Sequence, residues 1–318
     1  MIYIILFLFI IMNRPIYKVC DWFKLNINSY TIMDYLSTNP NAIDYLNENL
    51  DKINWYSLST NISLKAIELL EKNIDKIDWY YLSSNPSAIS ILKKNQDKIH
   101  WDELSKNPNA IELIKSNLKL INWVYLSKNS CAYEILIENM DKIDWFYFSE
   151  NPSKKAIEFL EKNPEKICYT MLNYNITDEA IRLLSKYPEK INWEYLSSNP
   201  SNEAIKILRN NPDKINQYQL CYNKNPEAIK LLDLTKINLI ALATNPNAIE
   251  IIRDNIENIQ KISYIYLYKN PSIFELDYEK MKKNNEILDE EILKVVLHPR
   301  RINRNLELYG FDIDDMFD

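Results

Sequence analysis

The sequence predicts an all-α fold, an α-solenoid of about eleven helix-turn-helix repeats of 22–25 residues with atypical end caps. Three observations support this prediction. A Trp-x-x-Leu motif recurs along the chain, an Asn-Pro helix start follows many of its copies, and glycine is almost absent. A repeat of this length cannot bury its apolar face alone, so stacked copies must supply a continuous core.

The register residue of each repeat, a Trp or its equivalent, lies three residues before a Leu or Phe. The clearest copies are Trp55/Leu58, Trp79/Leu82, Trp101/Leu104, Trp123/Leu126, Trp145/Phe148 and Trp193/Leu196. Weaker copies keep the spacing at Met33/Leu36, Tyr169/Leu172, Gln217/Leu220, Leu239/Leu242 and Tyr264/Leu267. The successive steps are 22, 24, 22, 22, 22, 24, 24, 24, 22 and 25 residues. The repeats therefore occupy residues 33–272 and, at roughly 8–10 Å per stacked helix, we expect an array on the order of 100 Å long.

Each repeat is predicted to form two short helices. An Asp or Asn such as Asp78 precedes the register residue and can accept from the free amides of the first helix. Asn85 then suits the N-cap of the second helix, and Pro86 suits its first turn, because the missing N–H costs nothing there. An Asn such as Asn95 is expected to end that helix in the left-handed conformation, in place of glycine. The buried stripe of the second helix is predicted at Ala88, Ile89, Ile91 and Leu92.

The two ends of the chain depart from the repeat. Residues 1–12 form an apolar leader, shorter than the roughly 20 residues that a spanning helix needs. Three interpretations of this leader stay open: a membrane anchor, a secretion signal, and a gene extension ahead of a translation start at Met12. Residues 13–32 are predicted to form an N-terminal cap. Residues 273–318 are predicted to form a C-terminal cap, with a helix over 284–297 and an acidic tail, because terminal repeats must cover an exposed apolar face.

The composition argues against catalysis. Gly310 is the single glycine, so phosphate-cradling loops and dinucleotide fingerprints cannot be built. The two histidines, His100 and His298, lie 198 residues apart, and the four cysteines form no C-x-x-C pair. No nucleophile stands near a plausible base in the sequence pattern. We therefore predict no enzymatic activity, no cofactor and no metal site.

The charge pattern disfavours a phosphate-binding surface. The net charge is −6, and the basic residues are spread along the chain. A lysine column is preceded each time by Asp or Glu, which is typical of a solvated ridge, at Lys52, Lys76, Lys98, Lys142, Lys166, Lys190 and Lys214. The tryptophan column could stack bases, but its fixed pairing with Leu favours packing between helices. Nucleic acid is therefore an unlikely partner on sequence grounds.

The sequence predicts a non-enzymatic, monomeric scaffold for protein–protein interaction. Solenoids present long binding surfaces, and residues that differ between repeats at one equivalent position would carry specificity. That position lies two residues after the register residue, where the candidate partner contacts are Tyr35, Tyr81, Glu103, Tyr125, Tyr147 and Tyr195. Ser57 and Met171 occupy the same position. The alternatives are a nucleic-acid-binding helical repeat protein and a membrane-tethered adaptor that uses residues 1–12.

Two motifs of the repeat resemble a known family. Leu-Ser-x-Asn-Pro-Asn-Ala-Ile at Leu104–Ile111 and Asn-x-Asp-Lys-Ile-Asp-Trp at Asn139–Trp145 resemble the uncharacterised short α-helical repeat proteins of giant DNA viruses of the mimivirus type. Pro15–Trp22 and Leu297–Ile302 are similar to the ends of that family, so the resemblance covers roughly residues 13–318. It implies a viral product in host cytoplasm with a host or viral protein partner, and it brings no catalytic residues. Residues 1–11 depart from the family's usual start, which favours translation from Met12.

Overall fold

The computed structural model describes residues 15–24, 30–258, 265–284 and 286. Within these residues the secondary structure is almost wholly helical, which confirms the predicted all-α class. The predicted leader over residues 1–12, the translation start at Met12, and nearly all of the predicted helix over 284–297 lie outside the described residues. Residues 278–284 are helical.

The described α-helices are short and follow one another along the whole repeat region. In chain order they are α1 (Tyr30–Thr38), α2 (Ile43–Asn47), α3 (Trp55–Ser59), α4 (Leu64–Glu71), α5 (Trp79–Ser84), α6 (Ile89–Lys94), α7 (Trp101–Ser105), α8 (Ile111–Lys115), α9 (Trp123–Ser127), α10 (Tyr133–Glu138), α11 (Trp145–Phe148), α12 (Lys154–Lys162), α13 (Tyr169–Leu172), α14 (Asp178–Ser185), α15 (Trp193–Ser198), α16 (Asn202–Arg209), α17 (Gln217–Leu220), α18 (Leu239–Ala243) and α19 (Ile249–Asp254). Single turns of 3-10 helix separate them at Leu50–Lys52, Ile74–Lys76, Pro86–Ala88, Gln96–Lys98, Pro108–Ala110, Met140–Lys142, Pro164–Lys166, Pro188–Lys190, Pro212–Lys214, Pro226–Leu231, Pro246–Ala248, Ile256–Asn258, Leu267–Lys269 and Pro271–Ile273.

The chain divides into two regions by its internal contacts, residues 21–273 and residues 1–20 with 274–318. In the second region a short strand from each end of the chain pairs with the other. β1 (Tyr17–Val19) and β2 (Phe274–Leu276) are antiparallel, with Lys18 opposite Glu275. The Nζ atom of Lys18 lies 3.2 Å from the Glu275 carboxylate. The sequence pattern did not predict this strand pairing.

The first helix of each repeat begins at the register residue because the preceding side chain caps it. The Asp78 carboxylate, for example, accepts a hydrogen bond from the backbone N–H of Tyr81 at 3.2 Å. The same cap is made by Asn54, Asn122, Asp144, Asn192, Asn216 and Asn238. His100 and Cys168 occupy the position without making a cap. The predicted caps are therefore confirmed wherever the residue is Asp or Asn.

The second helix starts in one of two ways. In a 22-residue repeat, Asn85 accepts from the N–H of Ser87, and a 3-10 turn over Pro86–Ala88 precedes α6. In three of the repeats with a two-residue insertion, the added residues supply a hydroxyl cap, and the helix is α-helical from its start. Ser63, Thr177 and Ser201 make these caps. The insertion therefore lengthens the second helix and leaves the first unchanged.

The asparagines that end the second helices do not adopt the predicted left-handed conformation. Asn95 has φ −133° and ψ 53°, and its amide donates to the carbonyl of Ile91, four residues earlier, at 2.9 Å. The same bond is made by Asn49, Asn73, Asn117, Asn139, Asn163, Asn211 and Asn255. The left-handed prediction is wrong because the side chain closes the last turn while φ stays negative. No residue at this turn needs the conformational freedom of glycine.

The core lies between the two helices of each repeat and between neighbouring repeats. The leucines three residues after the register residue are fully buried, as Leu58, Leu82, Leu104 and Leu126 illustrate. Of the predicted stripe on the second helix, Ala88, Ile91 and Leu92 are buried, whereas Ile89 is half-exposed. Short helices of this kind are marginal alone, so their stability depends on this shared burial.

Candidate interaction surface and the polar contacts that position it

A column of buried asparagines, here called the ladder asparagines, connects each repeat to the one before it. The column comprises Asn39, Asn61, Asn85, Asn107, Asn129, Asn151, Asn175, Asn199, Asn223, Asn245 and Asn270. Asn107 shows the geometry: its amide donates to the carbonyls of Ser83 at 3.1 Å and Asn85 at 2.9 Å. Its own side-chain oxygen accepts from the N–H of Asn109 at 3.0 Å. One side chain therefore caps its own second helix and holds the preceding repeat.

The hydrogen bonds of the ladder asparagines form a closed circuit. Asn270 donates to the carbonyls of Ala243 at 2.9 Å and Asn245 at 3.1 Å. Asn39, at the other end of the repeats, donates to the carbonyls of Tyr268 at 3.0 Å and Asn270 at 3.1 Å. Tyr268 and Asn270 occupy the same positions in their repeat as Ser83 and Asn85 do in theirs. The contact between last and first repeats is therefore the ordinary contact between neighbours.

Further contacts between the last and first repeats match those between other neighbouring repeats. The amide of Asn41 donates to the carbonyl of Pro271 at 3.0 Å, as the amide of Asn109 donates to that of Pro86 at 2.9 Å. The Tyr35 ring also stacks on Tyr266, with 5.9 Å between the ring centres. Among the described residues, no buried side-chain nitrogen or oxygen lacks a hydrogen-bond partner.

A column of serines, which sequence reasoning missed, ties the first helices together. The Ser83 hydroxyl donates to the carbonyl of Trp79 at 2.7 Å and accepts from the N–H of His100, in the next repeat, at 3.0 Å. Ser37, Ser59, Ser105, Ser127, Ser149 and Ser197 accept in the same way. Cys221 holds the equivalent position in a later repeat, and burial raises the pKa of its thiol. The Ser that recurs four residues after the register residue in seven repeats was the available sequence signal.

The lysine column lies over the aromatic column of the preceding repeat. Lys98 Nζ is 4.9 Å from the centre of the Trp79 ring. The same contact joins Lys76 to Trp55, Lys142 to Trp123, Lys166 to Trp145, Lys190 to Tyr169 and Lys214 to Trp193, at 4.5–5.8 Å. Leu120, which follows Trp101 as Lys98 follows Trp79, replaces the lysine in that part of the column. All of these lysines except the half-buried Lys166 are exposed, as expected for a solvated ridge. They also cover the faces of the aromatic rings on which a nucleic-acid base would have to stack.

The predicted partner-contact position lies between neighbouring first helices. Its tyrosines are only half-buried: Tyr35, Tyr81, Tyr125, Tyr147 and Tyr195. Met171 is also half-buried, whereas Glu103 and Ser57 are 5% and 4% exposed. The exposed side chains lie one residue earlier, at Tyr56, Tyr80, Val124, Phe146 and Tyr218, with 38–48% exposure. The predicted position therefore lies next to a column of exposed side chains, one residue later in the repeat.

Side chains one, two and five residues after the register residue include many exposed or half-buried aromatic rings, and we call this set of positions the aromatic track. Tyr56 and Tyr81 meet across a repeat boundary, with hydroxyls 2.7 Å and ring centres 4.1 Å apart. Tyr174 and Tyr195 meet in the same way, with ring centres 4.2 Å apart. The full set of aromatic residues is Tyr35, Tyr56, Tyr80, Tyr81, Tyr125, Phe146, Tyr147, Tyr174, Tyr195, Tyr218, Tyr222 and Tyr266.

Lysines of the track cover tyrosines of the following repeat. Lys106 Nζ lies 4.1 Å from the centre of the Tyr125 ring and 2.5 Å from the Glu103 carboxylate. Lys269 lies 4.2 Å from the centre of the Tyr35 ring, which repeats this contact between the last and first repeats. Each of these lysines is therefore already engaged within the surface.

Hydrogen bonds raise the pKa of three phenols of the track, Tyr56, Tyr80 and Tyr222. A hydrogen bond with Tyr218, and secondly burial, raise the pKa of Tyr222 to about 12. The hydrogen bond with Tyr81 raises the pKa of Tyr56, and the hydrogen bond to the Glu103 carboxylate raises that of Tyr80. The single O–H of Tyr56 is donated to Tyr81 and that of Tyr80 to the Glu103 carboxylate, so these phenols are already engaged within the surface.

The described residues offer neither a metal-binding cluster nor a membrane-spanning helix. In the described part of the chain, no group of three or more His, Cys, Asp or Glu side chains could hold a metal ion. Within the same part, none of the helices has the length and apolar character needed to cross a bilayer. The four cysteines are free thiols. Comparison with known protein families, curated proteins and solved structures finds no match for this chain.

Proposed function

We propose that the eleven repeats of residues 33–272 form a closed α-solenoid, a ring that acts as a non-enzymatic scaffold for protein–protein interaction. The observation that carries this proposal is the aromatic track. Tyr56, Tyr80, Phe146 and Tyr218 are each 43–48% exposed and recur at one position of the repeat. Exposed aromatic side chains of this kind are typical of protein interaction sites, where tyrosine is enriched.

The closed circuit of the ladder asparagines supports a ring over an open array of about 100 Å. In an open array the amide of Asn39 would have no preceding repeat to bond. Instead it makes the two bonds that Asn107 makes in the middle of the chain. In a ring the first and last repeats cover each other's apolar faces, so the repeats need no separate caps for that purpose.

The charge of the track favours a protein over a nucleic acid. Asp102 and Glu194 are exposed carboxylates at the same repeat position as Tyr56. The lysines of the track are few, and Lys106 and Lys128 already contact tyrosine rings and carboxylates. Affinity for nucleic acid depends on free cations that neutralise phosphates, which this surface does not offer.

The biological setting that we propose rests on the resemblance of the repeat motifs alone. It is a protein of a giant DNA virus, acting in the cytoplasm of the infected cell on a host or viral protein. A membrane-tethered form would depend on residues 1–12, which are outside the described part of the chain.

The scaffold function is tested with a variant in which Tyr56, Tyr80, Phe146 and Tyr218 are replaced by serine. The control replaces by serine four apolar residues outside the track that are 58–70% exposed: Ile62, Leu64, Ile176 and Leu234. We expect the wild-type protein and the control to retain the same partners from infected-cell extract, and the track variant to lose them. Circular dichroism and thermal unfolding should agree among all three proteins.

Two outcomes would contradict the scaffold function. One is retention of every partner by the track variant. The other is tight binding of RNA or DNA that weakens by orders of magnitude between about 50 and 200 mM salt, measured by fluorescence anisotropy.

A further inference from the structure

The junction between the last and first repeats, which we call the seam, differs from the other junctions of the proposed ring. The amide of Asn39 bonds across it to the carbonyls of Tyr268 and Asn270, which are 229 and 231 residues away along the chain. At every other junction the chain runs directly from one repeat into the next, so neighbouring repeats stay tethered if their contacts break. Because a tether keeps two surfaces at high effective concentration, the seam is the junction at which repeats can move apart most easily.

A pair of aromatic rings occupies the position of the serine bond at the seam. At an ordinary junction, Ser83 accepts a hydrogen bond from the N–H of His100 at 3.0 Å. Tyr268 holds the position of Ser83 in the last repeat and is 1% exposed. Its ring packs edge to face on Phe23, with 5.3 Å between ring centres and an interplanar angle of 71°. Phe23 lies ahead of the first repeat, so a residue of the N-terminal cap packs on the last repeat.

The segment Tyr17–Phe23, which we call the strap, is therefore anchored at two points. Its strand β1 pairs with β2, which directly follows the last repeat in sequence, and Phe23 packs on Tyr268. The chain then leads to the start of α1 at Tyr30. The connection from Phe23 to Tyr30 can span at most about 25 Å. The strap thus keeps the first repeat close to the last as long as its anchors hold.

The strand anchor of the strap is weak. Each strand has three residues, and a two-stranded pair is at best marginally stable alone. The ion pair between Lys18 and Glu275 spans 3.2 Å, but its side chains are 46% and 47% exposed, and exposed pairs contribute little. The ring of Phe23, which is 3% exposed, is the stronger anchor because its burial removes apolar surface from water.

We propose that the strap is a latch: the ring opens at the seam when the strap releases Phe274–Leu276 and Tyr268, and closes when the strap binds them again. This inference rests on the ring of the proposed function. Opening separates the Tyr35 ring from that of Tyr266, which lies 5.9 Å away, and from Lys269 Nζ at 4.2 Å. It therefore interrupts the aromatic track at the seam and uncovers the rings that the seam holds together.

The test measures two distances by pulsed electron paramagnetic resonance in the full chain. Spin labels on p-acetylphenylalanine replace Asn47 and Arg253, two repeats apart across the seam, or Glu71 and Lys115, two repeats apart elsewhere. In urea below the global transition, the seam pair should lengthen well beyond about 20 Å while the reference pair keeps that distance. With Lys18→Cys and Glu275→Cys, which lie opposite each other, an oxidised disulfide should move this lengthening to higher urea, and reduction should reverse it.

Phe23→Ala tests the second anchor of the strap. Loss of a buried aromatic ring should raise the open fraction at a given urea concentration at least about tenfold. The matched control is Phe148→Ala, which removes an equally buried ring far from the seam. It should lower the global stability and leave the open fraction at the seam unchanged.

Three results would overturn the latch: lengthening of both label pairs together, no effect of oxidising the disulfide, or seam opening by Phe148→Ala as large as that by Phe23→Ala. If the seam pair still gives about 20 Å without urea, any of these removes the latch and leaves the ring. A distance of about 70–90 Å without urea would instead contradict the ring itself, so the two proposals fail separately.

Discussion

Replacing Asn107 with alanine should lower the free energy of unfolding by about 3 kcal/mol, because it leaves several buried polar groups without a partner. The side chain is fully buried and makes three hydrogen bonds. Its loss removes the cap of the second helix, which is typically worth about 1 kcal/mol. It also removes the donor for two carbonyls of the preceding repeat. Urea unfolding followed by circular dichroism measures the change.

Asn109→Ala is the matched control for Asn107→Ala. Asn109 is exposed and its amide makes one hydrogen bond, to the carbonyl of Pro86. We expect this substitution to cost no more than about 1 kcal/mol. Similar losses for the two variants would mean that the ladder asparagines are not a principal link between repeats.

Replacing Phe148 with alanine should cost about 3–5 kcal/mol, the usual range for a buried aromatic ring. Phe148 is fully buried, and its ring centre lies 5.4 Å from that of Trp145 and 6.0 Å from that of Phe159. Leucine occupies this position in the other repeats. Phe148→Leu should therefore cost less, about 1.5 kcal/mol or below. Chemical denaturation of each variant gives these values.

Phe146, two residues earlier on the same helix, provides the control for Phe148. It is 46% exposed and touches Tyr147 at the surface. Phe146→Ala should cost no more than about 1 kcal/mol, because much of its ring is already in water. A cost for Phe146→Ala as large as that for Phe148→Ala would contradict the assignment of the aromatic track to the surface.

Local features of the repeat could be predicted because they depend on neighbouring residues. Asp78 caps a helix whose first turn follows it directly, and Leu82 is buried because it shares a face with Trp79. The end of the second helix could not be predicted from residue type alone. Asn95 is compatible both with a left-handed backbone and with a bond to the carbonyl four residues earlier. Only the three-dimensional path of the next segment selects between them.

The predicted contact position and the column of exposed side chains are neighbouring positions of the repeat. Tyr80 and Tyr81 are adjacent on a six-residue helix, and the repeat pattern alone does not say which of them turns toward the neighbouring repeat. Which of the two tyrosines faces the neighbouring repeat depends on the rotation between repeats. Closure of the proposed ring also depends on the rotation between repeats. The small rotations must add up to a full turn before Asn39 can contact Asn270. No local motif encodes that sum.

The distance between the first and tenth repeats tests the proposed ring most directly. Spin labels at Asn47 and Arg253 occupy exposed, equivalent positions on α2 and α19. The reference pair is Glu71 and Lys115, which lie two repeats apart at the corresponding position. Both pairs are made after replacement of the native cysteines and are measured by pulsed electron paramagnetic resonance. If the ring is closed, Asn47 and Arg253 are also two repeats apart, and both pairs give about 20 Å. An open array places them nine repeats apart, so a distance of about 70–90 Å would contradict the ring.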